Sequence, residues 1–266
     1  ATGRNDWSST LSKEHRSYFY PSLSGSVIVS DLLDNKPQWL DMLKLRGSWA
    51  VTKTVPDPYE INQVFRVNNN VWDGAPTATY AVTNPDYQFD IKDFSISPTQ
   101  RDLTEIGFDF AVLKNRLYGN YTRYYRLLHN QAIYNNISSF TGFRYRLINT
   151  HEERMTKGHE ITLGGIPINR NQFKWDVSLN LSQNLEYFHT LDPRYSGDAL
   201  YIQKGLRTDY ILSKDWERSP DGQIILNKSG MPISANYAAQ LIGYSAPKWF
   251  WGLTNQFSYK DFSLSF

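Results

Sequence analysis

Histidine is the side chain here best suited to bind a metal or shuttle a proton, and His15, His129, His151, His159 and His189 are scattered rather than grouped. The nearest approach to a metal motif is HEER at 151–154. It lacks the second histidine, four residues on, that would bring two imidazoles to one helical face. Cysteine is absent, which excludes disulfides, thiolate ligands and cysteine nucleophiles from the chain. SPDGQIILNKSG at 219–230 holds Asp221, Asn227 and two glycines, but not at the spacing of a calcium loop, and two successive turns account for it. Glu105, Asp109, Glu160 and Asp176 stand where every second residue is apolar. They are expected on a water-facing side, paired with Lys44, Arg46 or Lys174 rather than poised for acid–base work. No catalytic residue, metal or cofactor is expected.

The elements that carry these charges explain their spacing. In FKWDVSLNLSQN, at 173–184, Phe173, Trp175, Val177, Leu179 and Leu181 take one parity and Lys174, Asp176, Ser178, Asn180 and Ser182 the other. An extended chain sends these two sets to opposite faces, whereas a helix would smear them round its circumference. The alternation is long for a soluble sheet, but it matches the roughly 9–11 residues that a tilted strand needs to cross a bilayer.

The rest of the chain repeats the pattern. Residues 1–17 are polar and read as loop. Strands are predicted around 19–29, 43–51, 105–112, 117–127, 160–165, 173–184 and 249–257, and an eighth begins at Phe262. The apolar parity of the seven full strands carries a single charge, Arg123. The other parity carries Lys44, Arg46, Glu105, Asp109, Arg126, Glu160, Lys174 and Asp176. Long connections (52–100, 129–153, 186–246) alternate with short ones (31–41, 114–115, 167–172), the rhythm of a transmembrane barrel with long outer loops and brief periplasmic turns. Short hairpins are expected inside 52–100 and around Ile224–Leu226.

Composition agrees. Aromatics make up 15% of residues while the mean hydropathy is −0.53, as suits strands with one greasy and one wet face. The 28 basic and 26 acidic residues are spread along the chain, unlike the concentrated basic footprint of a nucleic-acid binder. No apolar run is long enough for a membrane-spanning helix, and the first residues show no signal-peptide pattern.

Several blocks in order carry a resemblance: LKLRGSWA (43–50), SPTQRDLTEIGFDFAVLKNRLYGNYTRYYR (97–126), LINTHEERMTKGHEITL (147–163), FKWDVSLNLSQN (173–184), SPDGQIILNKSGMPI (219–233) and APKWFWGLTNQFSYKDFSLSF (246–266). Together they resemble the distal part of the barrel in the SusC/RagA family of TonB-dependent outer-membrane transporters. The resemblance implies seven or eight antiparallel strands of a larger, 22-stranded barrel. Residues 1–266 would be a partial barrel domain, a fragment without the plug, the TonB-contacting N-terminal region or the early strands. It implies the outer membrane of a Gram-negative cell, a SusD-like surface lipoprotein and TonB as partners, and import of a large nutrient, an oligosaccharide before a peptide. Arg123 and His159 depart from the apolar, lipid-facing character it implies at their positions.

Two readings of other classes stand beside it: a passive structural or diffusion barrel, and a soluble carbohydrate-binding β-sandwich. Trp49, Trp175, Trp249 and Trp251 lie on apolar faces near strand ends and are expected to anchor the membrane interface. Tyr59, Trp72, Tyr80, Tyr87, Trp216 and Tyr244 lie in the long segments, where aromatic faces can stack on a glycan or peptide. The same rings equally suit packing of the loops or contact with a lipoprotein.

Overall fold

Alternation fixes the strands, and they run longer than their apolar centres. The computed structural model describes residues 1–266 apart from 64, 73–74, 81–89, 94, 142, 144, 195–200 and 236–238. In chain order come β1 (Thr2–Trp7), β2 (Ser17–Ile28), β3 (Leu40–Thr54), the hairpin β4 (Phe65–Trp72) and β5 (Ala75–Tyr80), β6 (Asp90–Ile91), β7 (Thr99–Val112) and β8 (Leu117–His129). There follow β9 (Ala132–Asn136), β10 (Tyr145–Asn149), β11 (Glu153–Arg170), β12 (Phe173–Thr190), β13 (Tyr210–Ser213), β14 (Gln240–Tyr244), β15 (Phe250–Tyr259) and β16 (Phe262–Ser265).

Nine of these make one antiparallel sheet, ordered β1-β2-β3-β7-β8-β11-β12-β15-β16. The register carries the parity across it. Leu45, Phe108, Tyr121, Ile161, Leu181 and Trp251 form one transverse row; Leu43, Phe110, Gly119, Leu163, Leu179 and Leu253 form the next. Between them, on the opposite face, run Lys44, Asp109, Asn120, Thr162, Asn180 and Gly252. A one-residue slip in any pairing would mix the two sets, so this register is the one that keeps every apolar side chain on one side.

The apolar face is bare. Ile106, Leu163 and Leu253 are 58%, 43% and 52% exposed, and among the described residues no second sheet packs on them. A sandwich would bury that surface, so the soluble β-sandwich reading does not hold. An open apolar face of this extent requires a non-aqueous neighbour.

Two other expectations are corrected. Residues 2–7, expected as loop, form β1, which makes nine strands rather than seven or eight. TGRNDW has no apolar parity to announce it, but its backbone pairs with β2 from Thr2↔Ser22 to Trp7↔Ser17. The turn expected at 167–172 is narrower. β11 runs on to Arg170 through a bulge between Gly165 and Ile168, where Pro167 needs no ladder partner, and Asn171 (φ 53°) begins the turn into β12.

Connections alternate in side. The β2–β3, β7–β8, β11–β12 and β15–β16 connections leave from one end of the sheet, and the β1–β2, β3–β7, β8–β11 and β12–β15 connections from the other. The buried hydrophobic cluster sits among the long connections, where Ile61, Ile96 and Leu147 pack with Ala132 and Tyr134. The β6-β10-β9 sheet backs it.

Candidate functional site

The polar face and the long connections above it hold the residues singled out from the sequence. All eight charges expected to face water share the polar side by register. Arg46 lies 3.5 Å from Asp109, Lys174 lies 3.1 Å from Asp176, and Ser48 donates to Glu105 at 3.4 Å. Arg126 and Glu160 project into open space. Ser24, Ser26, Arg46, Ser48 and Glu105 line a shallow depression in this face.

Long side chains brace the polar face by crossing glycines. Arg46 on β3 passes over Gly107 on β7 and donates to the Thr122 hydroxyl on β8 at 2.5 Å. Tyr118 on β8 lies over Gly164 on β11, and its hydroxyl reaches Asp176 on β12 at 2.9 Å. Tyr124 covers Gly158 in the same way, where an added Cβ would fall 2.0 Å from the ring's Cζ. Each brace skips a strand, so it needs the middle strand to offer no side chain. These braces were not visible in the sequence, because each joins three residues far apart in the chain.

The long connections are held by buried charges. The Asp192 carboxylate is wholly covered. It accepts from the Arg194 guanidinium at 2.8 and 3.0 Å and from the His151 and Arg194 amides, which hold it well below the usual carboxylate range. Arg207, 7% exposed, donates to Asp209 at 2.6 and 2.8 Å and to the Ala246 carbonyl at 2.8 Å, and its guanidinium sits 4.2 Å from the centre of the Tyr244 ring. That hydrogen-bonded pairing with Arg207 lowers the Asp209 pKa.

Of the six loop aromatics, Tyr59 is 81% exposed with φ 65°, Trp216 is half exposed, and Tyr244 has a ring face taken by Arg207. No hydrogen bond or ring contact joins these three. Trp72 ends β4 and Tyr80 ends β5, while Tyr87 lies outside the described residues. Trp216 opens a feature the sequence did carry. Glu217, Ile225 and Ile233, eight residues apart, close a ring in which the amide of Ile225 donates to Glu217, that of Ile233 to Ile225 and that of Glu217 to Ile233, at 2.8–3.0 Å. The turns between them, SPDGQ and NKSGM, are two copies of one eight-residue unit. Among the described residues no three His, Asp or Glu side chains gather as a metal site would need.

Trp49, Trp175, Trp249 and Trp251 all stand on the apolar side. Trp175 stacks on Phe257 at 5.7 Å and donates to Asn255 at 3.2 Å. Trp249 lies 6.0 Å from the His159 ring. Arg123 and His159 are direct cross-strand partners on the same side, so they truly interrupt the apolar face.

No protein-family model matches the chain. Over 186 residues it is 26% identical to the TonB-dependent receptor SusC of Bacteroides thetaiotaomicron, covering 69% of this chain and 18% of that protein. A TonB-dependent receptor of Formosa agariphila is 23% identical over 185 residues, 68% of this chain and 18% of that protein. The chain thus spans under a fifth of the length of these relatives. The RagAB peptide importer in its open-open state superposes with a TM-score of 0.78 at 18% identity, over 99% of this chain and 29% of that one. Its closed-closed state gives 0.76 at 18% identity, over 99% and 30%. This likeness is one of fold.

Proposed function

We propose that this chain, a segment of outer-membrane barrel wall belonging to the SusC/RagA family of TonB-dependent transporters, helps to enclose the path by which a large nutrient enters the cell. The observation that carries the reading is the register. It puts an uncovered apolar surface on one side of the nine-stranded sheet, from β3 to β15, and a charged, hydrogen-bonded surface on the other. In a barrel the first meets hydrocarbon and the second lines an aqueous lumen.

Transport of this kind needs no bond chemistry from the wall. Lys44, Arg46, Glu105, Asp109, Arg126, Glu160, Lys174 and Asp176 keep the lumen wet and meet the plug of the whole protein. The long connections, with Tyr59, Trp72, Tyr80, Tyr87, Trp216 and Tyr244, face outward and contact the ligand or a SusD-like lipoprotein. TonB supplies the energy through the plug. We take the cargo to be an oligosaccharide, for which the aromatic rings of the long connections offer stacking faces; the RagAB structures of like fold are of a peptide importer, and a peptide is the second reading. Trp49, Trp175, Trp249 and Trp251 anchor the interfaces. A lipid-facing arginine costs about 2–4 kcal/mol at mid-membrane and about 0–1 kcal/mol near the surface. That difference puts the Arg123–His159 pair at the edge of the hydrocarbon, beside Trp249.

The test is uptake of fluorescent oligosaccharides and peptides by cells with and without the full-length gene, each with TonB intact or inactivated. Oligosaccharide uptake should vanish on either loss. Loss of peptide uptake alone would make the cargo a peptide, and uptake that survives without TonB would make the barrel a passive one.

A further inference from the structure

Three cation-capable side chains meet on the face whose central rows are apolar. Arg123 on β8 is paired with His159 on β11, and Lys157, two residues from His159 on the same face, is paired with Tyr125. All three are half-buried. They stand where the apolar run ends: Leu181 gives way to Gln183 on β12, and Ile106 to Thr104 and Asp102 on β7. This is also the end of the sheet that carries the long connections.

The cluster is pre-organised yet its charge is unanswered. Arg123 Nε donates to the Tyr125 hydroxyl at 3.1 Å, with the guanidinium 4.9 Å from that ring's centre. Arg123 Nη1 and the Tyr121 hydroxyl both approach His159 Nδ1, at 3.3 and 2.8 Å. Arginine cannot accept, so the Arg123 contact is satisfied by the tautomer in which Nδ1 accepts and Nε2 keeps the ring proton as a donor. Lys157 Nζ lies 5.4 Å from the centre of the Tyr187 ring. Among the described residues neither Arg123 nor Lys157 has a carboxylate within ion-pair distance. Asp102, a carboxylate on this face, accepts from Gln100 at 2.9 Å and lies 3.1 Å from His129 Nε2.

We propose that Arg123, Lys157 and His159, framed by Tyr121, Tyr125, Tyr187 and Trp249, seat the phosphate of a lipid with a net-anionic headgroup in the leaflet on the long-connection side. Two fixed cations and an N–H donor match the charge and acceptor oxygens of a phosphate. Aromatic rings at this depth flank the upper part of the acyl chains. A zwitterionic headgroup offers a phosphate too, but brings its own ammonium, so it answers the two cations less fully than an anionic one. The inference rests on the membrane-wall reading, whose own failure would show as no retained lipid of any kind.

The experiment is native mass spectrometry of the full-length protein in detergent, titrated with dioleoyl phosphatidic acid, with dioleoyl phosphatidylcholine as the neutral control. The wild-type protein should prefer phosphatidic acid. The double variant Arg123→Gln/Lys157→Gln should lose about tenfold in that affinity, and Arg123→Lys should stay within about threefold. Millimolar inorganic phosphate should not displace the lipid. Equal affinity for the two lipids in the wild-type protein overturns the proposal without recourse to any variant. So does an unchanged double variant or displacement by inorganic phosphate.

Discussion

The two faces of the nine-stranded sheet are built from the same backbone but held by opposite means. On the apolar face, side chains meet chiefly ring to ring, as Phe108 meets Tyr121 at 5.7 Å and Trp175 meets Phe257, and the surface above them is left open. On the polar face, Arg46, Tyr118 and Tyr124 reach across whole strands to bind groups beyond. Cross-strand pairs contribute only about 0.2–1 kcal/mol each, so the apolar face depends on its surroundings for stability. The polar face carries its own network and does not need another layer. Such a sheet suits a wall between two solvents.

The sharpest way to break that comparison is to put one charge on each side of the same strand. Leu253 and Thr254 are adjacent and both exposed, and their side chains point to opposite faces. In the full-length protein folded into vesicles, Leu253→Arg should cost about 2–4 kcal/mol in urea titrations. Thr254→Arg should stay within about 0.5 kcal/mol. Equal losses would mean that the faces do not differ.

The braces give a second contrast, confined to the polar face. Gly158→Val would drive a side chain into the Tyr124 ring and should cost about 1–3 kcal/mol. Gly252→Val meets nothing within 4 Å and should be neutral within about 0.5 kcal/mol. The same titrations read both.

The smallest effect belongs to the loops. Arg207 holds the Asp209 carboxylate below its ordinary pKa, so the stability from this pair is full above the usual carboxylate range. It is lost as the pH falls through the lowered value. Hydrogen-exchange protection across 204–246, relative to the intrinsic rate at each pH, should therefore fall at acid pH in the wild-type protein, and Asp209→Asn should flatten that dependence.

What could be read in advance follows from the same physics. Parity is local, so the strands, their faces and the sides of the connections were legible from runs such as 173–184. β1 was not, because an edge strand such as TGRNDW is specified by backbone pairing with β2 rather than by an apolar stripe. The outer ends of β11 and β12 were missed for a related reason, since Lys157 and Gln183 end the stripe while the ladder continues. The braces join β3 to β8 and β8 to β12 through glycines on the strands between, and no local window contains all three partners. The eight-residue unit at 216–234 was present in the sequence, but its two turns share little beyond glycine and a capping side chain.

The central claim is that successive residues of one strand meet hydrocarbon and water in turn. These 266 residues hold no cysteine, so the claim can be tested one residue at a time, with bimane on single cysteines at 177–182 in the full-length protein in vesicles, any cysteine elsewhere in it first replaced by serine. Positions 177, 179 and 181 should be quenched by brominated phospholipid and spared by iodide, and 178, 180 and 182 the reverse. Iodide quenching at all six, or no lipid quenching at 177, 179 and 181, would contradict the account.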